Sequence, residues 1–279
     1  MLGLDTVWFQ VAGSVCNLAC THCFISCSPT NQTHAMMGAA DVERHLDDSE
    51  SLGVREYYFT GGEPFLNPEL IPMLRSALRR GPATVLTNGT LINARRAAEL
   101  KALADASRYS LDIRLSMDGF AAASNDAIRG RGTYERILDA IGHLAAAGLN
   151  PVITVTEACE DAVESSGRAR LLERLRAMGL DRPRLKVMPL LRLGAETGRT
   201  RGYAEEETLA GMELSSEDAA ALQCSSGRMV TAEGVYVCPI LIDSPDARMG
   251  GTLAESLRPY SLSHRACHTC HAQGLNCRT

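Results

Sequence analysis

The chain has 279 residues, a length that suits one large domain or one domain with a smaller appendage. Hydrophobic residues make up 45% and charged residues 22%, an ordinary globular balance that excludes a mainly disordered or collagen-like chain. With 28 Lys and Arg against 33 acidic residues the net charge is −5, so the overall field does not attract a polyanion and no nucleic-acid partner is expected.

A strand is predicted over residues 7–11, followed by a cysteine-bearing stretch and a loop over 27–34 rich in Ser, Pro, Asn and Thr. A helix over 39–52 leads into Glu56-Tyr57-Tyr58-Phe59-Thr60, a strand ended by Gly61-Gly62. The alternation repeats as helix 68–79 and strand 83–87, helix 94–106 and strand 111–116, helix 134–148 and strand 152–156, then helix 161–178 and strand 185–189. Strands and helices in strict alternation describe a parallel α/β sheet, because parallel neighbours need a helical crossover. The site of such a sheet lies at the carboxyl ends of its strands, where Gly61-Gly62, Asn88-Gly89 and Asp118-Gly119 fall. Past Gly194 the pattern changes. Residues 202–218 read as an acidic linker, 229–231 and 235–237 as a β-hairpin, and the tail from Leu253 lacks apolar periodicity and calls for a metal staple.

The ten cysteines are the most informative residues: nine fall in two groups, 16–27 and 224–277, and Cys159 stands alone between them. No run of about 18 apolar residues exists, and residues 1–10 carry Asp5 and no Lys or Arg, so neither a membrane span nor a signal peptide is expected. The expected location is therefore cytoplasmic, where thiols stay reduced and clustered cysteines point to metal or redox chemistry rather than disulfides.

Cys16-Asn17-Leu18-Ala19-Cys20-Thr21-His22-Cys23 has the spacing C-x3-C-x2-C. Three close thiolates can hold three irons of a cubane and leave the fourth open to a cofactor or substrate. The alternative is a structural zinc site completed by Cys27 or His22. Cys159 reads as a core thiol, and Cys27 as a bystander or a thiol close to the site.

Taken with Phe59-Thr60-Gly61-Gly62-Glu63-Pro64, Thr87-Asn88-Gly89-Thr90, Leu115-Ser116-Met117-Asp118-Gly119, Ile128-Arg129-Gly130 with Gly132, and 189–192, the cysteine loop resembles the radical S-adenosylmethionine (SAM) superfamily over about residues 7–194. The resemblance implies a partial (β/α)6 TIM-type barrel over residues 1–200, with Cys16, Cys20 and Cys23 binding a 4Fe-4S cluster whose open iron is chelated by SAM. It implies an enzyme, served by a flavodoxin- or ferredoxin-type reductant, that cleaves SAM reductively to a 5′-deoxyadenosyl radical and abstracts hydrogen from a substrate carbon. On the same basis Gly61, Gly62 and Glu63 face the SAM ammonium, Ser116 its ribose or carboxylate, Arg129 its carboxylate and Phe24 its adenine. Asn88 faces the site from a strand end or merely turns the chain, Asp118 and Gly119 read equally as turn residues, and Arg129 equally as a solvated helix end.

The second group runs Cys224-x13-Cys238, then Cys267-x2-Cys270-x6-Cys277. It resembles the C-terminal auxiliary-cluster domains of the same superfamily, called SPASM with two clusters and twitch with one, and implies an Fe–S domain over residues 201–279. Gly234 precedes Cys238 by three intervening residues instead of four, and ligands for a second auxiliary cluster are missing. One auxiliary 4Fe-4S cluster on Cys224, Cys238, Cys267 and Cys270 is therefore expected, with Cys277 either an alternative fourth ligand or spare. Zinc is the competing reading, since His264, His268 and His271 crowd the same tail.

Family members with auxiliary clusters oxidise or rearrange small molecules, or modify peptides and proteins. Cys16 comes too early for a preceding peptide-recognition module, which tilts the expectation toward a small molecule, with Asp243 or Tyr236 as candidate bases. A non-catalytic Fe–S or zinc protein is the reading from another class.

Overall fold

The computed structural model describes residues 3–275 and 277. Strand β1 (Thr6–Gln10) is buried at every position, as a central strand covered on both faces must be. Helix α1 (Ala39–Ser51) turns Val42, Leu46 and Ser49 inward and leads to β2 (Glu56–Thr60). Then follow α2 (Leu70–Ala77), β3 (Ala83–Thr87), α3 (Ala94–Asp105), β4 (Leu111–Ser116), α4 (Ala122–Arg129), α5 (Thr133–Ala146) and β5 (Val152–Thr156). On α5 the buried Ile137, Ala140, Ile141 and Leu144 recur at helical spacing and form one apolar stripe against the sheet. Helices α6 (Glu160–Val163) and α7 (Ser165–Ala177) precede β6 (Arg184–Met188).

The six strands pair in parallel and in chain order, and all lie within one residue of their predicted bounds. Among the described residues the sheet does not close: β6 pairs only with β5, and the free side of β1 takes β7 (Gly227–Thr231) in parallel. Strand β7 turns back into β8 (Gly234–Tyr236), which pairs with β9 (Arg248–Gly250). The chain also forms α8 (Ser216–Ala221) and α9 (Ala266–Ala272). Among the described residues no helix is long and apolar enough to cross a membrane.

Side chains alternate across the sheet. Val7 and Phe9 join the core beneath the helices, whereas Trp8 stacks on Tyr58 in a second cluster inside the curve of the sheet, at 4.2 Å between ring centroids. That inner cluster also contains Met229, Tyr236, Ile240, Cys238 and Cys267, so the segment after residue 201 packs into the mouth of the strand array.

Three departures from the sequence expectation have local causes. The helix expected over 161–178 breaks at Glu164, whose backbone is extended, and restarts at Ser165, letting the Asp161 carbonyl press against Gly167. Helix α4 was hidden by its polar, two-turn sequence between Gly119 and Gly130. Strand β9 has three residues, too few to show an alternation.

Candidate functional site

At the carboxyl ends of the parallel strands lies a cavity of about 260 Å3. Its walls come from inward-facing strand residues, among them Gln10, Thr60, Thr87, Ser116, Thr154 and Thr156, and from the loop after β1. The structure brings Cys16, Cys20, Cys23, Phe24, Gly61, Gly62, Asn88, Ser116 and Arg129 together on this one cavity. Glu63 stands apart from it. Its buried carboxylate accepts hydrogen bonds from the Phe65 N–H (3.1 Å), the Thr87 hydroxyl (2.7 Å) and the Asn88 N–H (2.8 Å), so its side chain ties β2 to β3.

The cysteine loop is held by backbone. The Gly62 N–H donates to the Gly13 carbonyl at 2.8 Å and the Glu63 N–H to the Val15 carbonyl at 3.0 Å. A Cβ on Gly62 would stand 2.0 Å from the Val15 oxygen and 2.8 Å from the Cys16 nitrogen, which is why only glycine fits where the end of β2 meets this loop. The Asn88 amide lies 3.6 Å from the Cys16 sulfur, the Leu18 N–H 3.5 Å from the same sulfur, and the Cys27 N–H 3.3 Å from the Cys23 sulfur. Hydrogen bonds of this kind favour thiolates and cluster ligation. Burial pushes the Cys16 thiol up to about 12, whereas the hydrogen bond from the Cys27 thiol, aided by backbone N–H groups, lowers Cys23 to about 6. Cys27 lines the same cavity, and Cys159 is buried in the core beneath the helices.

One side of the cavity rests on an ionic hub that the sequence did not disclose. The Asp118 carboxylate is fully buried behind the wall. One oxygen lies 2.7 Å from His22 Nε2 and 2.6 Å from Arg129 Nη2, while the other accepts from the Thr156 N–H (3.0 Å) and hydroxyl (2.7 Å). Burial alone would raise this carboxyl, but the Arg129 guanidinium, then His22 and Thr156, hold it well below the usual carboxylate range. Asp118 is thus more than a turn residue, and Arg129 is a buried cation, not a solvated helix end. The available signal was a His between two cysteines of the motif together with an Asp-Gly at a strand end.

A second, smaller and apolar cavity is lined by Cys224, Cys238, Cys267 and Cys270 with Leu222, Val237, Ile240, Leu241, Tyr260 and Leu262. Burial raises all four thiols, Cys267 to about 12. Cys277 does not line it. Cys277 lies on the large cavity, its carbonyl accepting a hydrogen bond from Arg114 and its N–H donating to Gln223 Oε1 at 3.2 Å. His264, His268 and His271 are also absent from the wall of the second cavity. Among the described residues no three His, Cys, Asp or Glu side chains converge tightly enough for a single ion. The four thiols instead ring a volume. A zinc site would bring its sulfurs to about 3.8 Å of one another, as tetrahedral bonds of about 2.3 Å require.

Both sites can be tested against an iron–sulfur cluster on these donors. Free thiols line a cavity in each, the first set accepts N–H···S bonds, and the first cavity adds a glycine cradle and a buried guanidinium whose Nε has no hydrogen-bond partner among the described residues. The donor chemistry fits a 4Fe-4S cluster in both places and an amino-acid ligand beside the first.

Comparison with known proteins bears on the first of these sites. The Radical SAM superfamily model matches residues 11–158, more than half of the chain. The mycofactocin maturase MftC of Mycobacterium ulcerans is 32% identical over 134 residues, 48% of this chain and 34% of that protein. An AdoMet-dependent heme synthase of Nitratidesulfovibrio vulgaris is 31% identical over 172 residues, 58% and 43% respectively. A GTP 3′,8-cyclase of Chlorobaculum tepidum is 32% identical over 146 residues, 51% and 41%. The matched stretch thus spans about a third to two fifths of these curated relatives. Among solved structures, anSMEcpe with bound AdoMet and the Cp18Cys peptide superposes with a TM-score of 0.62 at 18% identity, covering 98% of this chain and 84% of that one. Streptococcus suis SuiB superposes at 0.59 and 16% identity, covering 89% and 63%. These likenesses establish the partial-barrel fold, and with the family match the chain belongs to the radical SAM superfamily.

Proposed function

We propose that the chain uses SAM and a 4Fe-4S cluster to abstract hydrogen from a substrate carbon inside the barrel cavity. The observation that carries this reading is the meeting of Cys16, Cys20 and Cys23 with Ser116, Arg129 and Asn88 on one cavity. The three thiolates ligate the cluster. The Arg129 fork and the Ser116 hydroxyl take the SAM carboxylate, and the backbone of Gly61 and Gly62 lies against its amine. Asp118 holds Arg129 charged and oriented, and fixes His22 within the cysteine loop. Leu18, Leu86, Met188 and Leu191 line the same space with apolar surface that keeps water from the reacting centre. When bound, the cluster and SAM supply the one-electron chemistry; orientation and dryness are the protein's share.

The cavity is lined mostly by apolar side chains with a few polar groups among them, as the sites of small molecules are, and in this reading it takes a small-molecule substrate beside SAM. Oxidation or rearrangement of such a molecule is the first reading. Peptide modification is the second, favoured by the relatives: a mycofactocin maturase, and SuiB bound to a precursor peptide. The reductant in either case is of flavodoxin or ferredoxin type. Residues 201–279 form the unit that carries one auxiliary 4Fe-4S cluster on Cys224, Cys238, Cys267 and Cys270, placed to accept an electron from the substrate.

Anaerobically reconstituted protein, once reduced and given SAM, is expected to release 5′-deoxyadenosine and methionine in equal amounts, and Cys20→Ala neither. Wild-type protein with intact clusters and no release overturns the reading. Stimulation of that release by the metabolite-sized or by the peptide fraction of a cell extract separates the two substrate classes.

A further inference from the structure

The large cavity holds two arginines in opposite electrostatic situations. Arg129 is neutralised from behind the wall by Asp118. Arg114, on β4 one inward position deeper than Ser116, is 3% exposed and has no carboxylate within ion-pair range among the described residues. Its Nε donates to the Thr154 hydroxyl at 3.3 Å and its Nη1 to the Cys277 carbonyl, leaving Nη2 without a hydrogen bond to any described residue. Among the described residues no Asp or Glu lines this cavity. On β1, the Trp8 indole N–H and Gln10 Oε1 line the same space, both buried and both without a partner among the described residues.

A buried guanidinium that lacks an anion costs several kcal/mol, and an unbonded buried N–H adds to the cost. The fork of Arg matches a carboxylate or phosphate in two parallel hydrogen bonds. We propose that Arg114 anchors an oxyanion of the substrate, a carboxylate or a phosphate ester, with the Trp8 N–H and the Thr154 hydroxyl as neighbouring polar groups. This rests on the reading that the cavity is the catalytic chamber, and it narrows the substrate to an anionic molecule whose charged end sits deeper in the barrel than the SAM carboxylate.

The test is isothermal titration calorimetry of the cluster-loaded, SAM-saturated protein with inorganic phosphate in one arm and propionate in the other. Wild type is expected to take up one equivalent of one anion, the better arm identifying phosphate ester or carboxylate. Arg114→Gln should weaken it roughly ten- to hundredfold, the range of a charged hydrogen bond. Arg114→Lys, which keeps the charge but loses the fork, should fall between, and this graded series stands if the Gln variant fails to fold. Trp8→Phe should weaken uptake by a smaller factor. Uptake of neither anion by wild type, or equal uptake by wild type and both Arg114 variants, overturns the inference. Wild type that cleaves SAM but binds no anion sinks this inference alone, whereas wild type that cleaves no SAM sinks the functional reading beneath it.

Discussion

The Asp118 carboxylate lies 2.6 Å from the Arg129 guanidinium with no exposure to solvent. This pair sets the charge balance of the site, since the same oxygen also meets His22, inside the cysteine motif. Removing one member of such a buried pair leaves the other uncompensated, at a cost of about 3–5 kcal/mol. Asp118→Asn is therefore expected to lower stability by an amount near that range in urea unfolding of the anaerobic protein, and to weaken SAM binding through a displaced Arg129. The pH sign follows from the lowered carboxyl. Its contribution is complete above the unfolded value of about 3.9 and is lost only as pH falls toward the depressed folded value. The gap between wild type and variant should stay level from pH 8 to about 5 and narrow only below about 4. A gap that closes near neutrality would assign the stability to another group.

The parallel strands were legible because each is a short apolar run at regular spacing, and the cysteine loop because cluster ligands supplied by one loop sit close in sequence. The hub was not. His22, Asp118 and Arg129 come from three separate elements, and each taken alone has an ordinary surface or turn reading. Arg114 was partly legible: in Leu111-Asp112-Ile113-Arg114-Leu115-Ser116 the alternation places a charged residue on the face opposite the apolar one. What the pattern could not tell is that this face lines a cavity. Cys277, which the sequence leaves as an alternative fourth ligand or spare, follows Cys267 and Cys270 closely in sequence but lies on the wall of the other cavity.

Glu63 joins two strands through three accepted hydrogen bonds, and burial raises its carboxyl even though those bonds oppose the shift. In Glu63→Gln an amide N–H₂ must replace one accepting oxygen, so a buried donor loses its partner at a cost of about 1–3 kcal/mol. Because the folded carboxyl is raised, the wild type is relieved of a buried charge as pH falls through that value toward the unfolded one. The deficit of the variant should therefore widen between pH 7.5 and 5 in urea unfolding. A deficit that shrinks over that range would mean the carboxylate is stabilised, not penalised, by its surroundings.

Gly62 has no room for a side chain against the Val15 carbonyl and the Cys16 nitrogen. Gly62→Ala should push the cysteine loop off the end of β2 while leaving the helix-covered core intact. The expected signature is a near-native far-ultraviolet circular dichroism spectrum with iron reduced by about half and 5′-deoxyadenosine release abolished. Full iron content in this variant would show that the loop can shift without losing its ligand geometry.

The two cavities separate the five C-terminal thiols into four and one. If the four hold a cluster, protein reconstituted with both clusters carries about eight irons and eight acid-labile sulfides, since each 4Fe-4S group contributes four of each. Cys224→Ala, Cys238→Ala, Cys267→Ala and Cys270→Ala should each reduce the count toward four, because each removes one of the four thiolates that line this apolar cavity. Cys277→Ala should keep about eight, since its sulfur belongs to the barrel cavity and its backbone, not its thiol, is what Arg114 and Gln223 hold. Loss of iron in the Cys277 variant, with iron retained in the Cys270 variant, would exchange the two residues in this assignment. A stoichiometric zinc content with about four irons would replace the auxiliary cluster by a single-ion site.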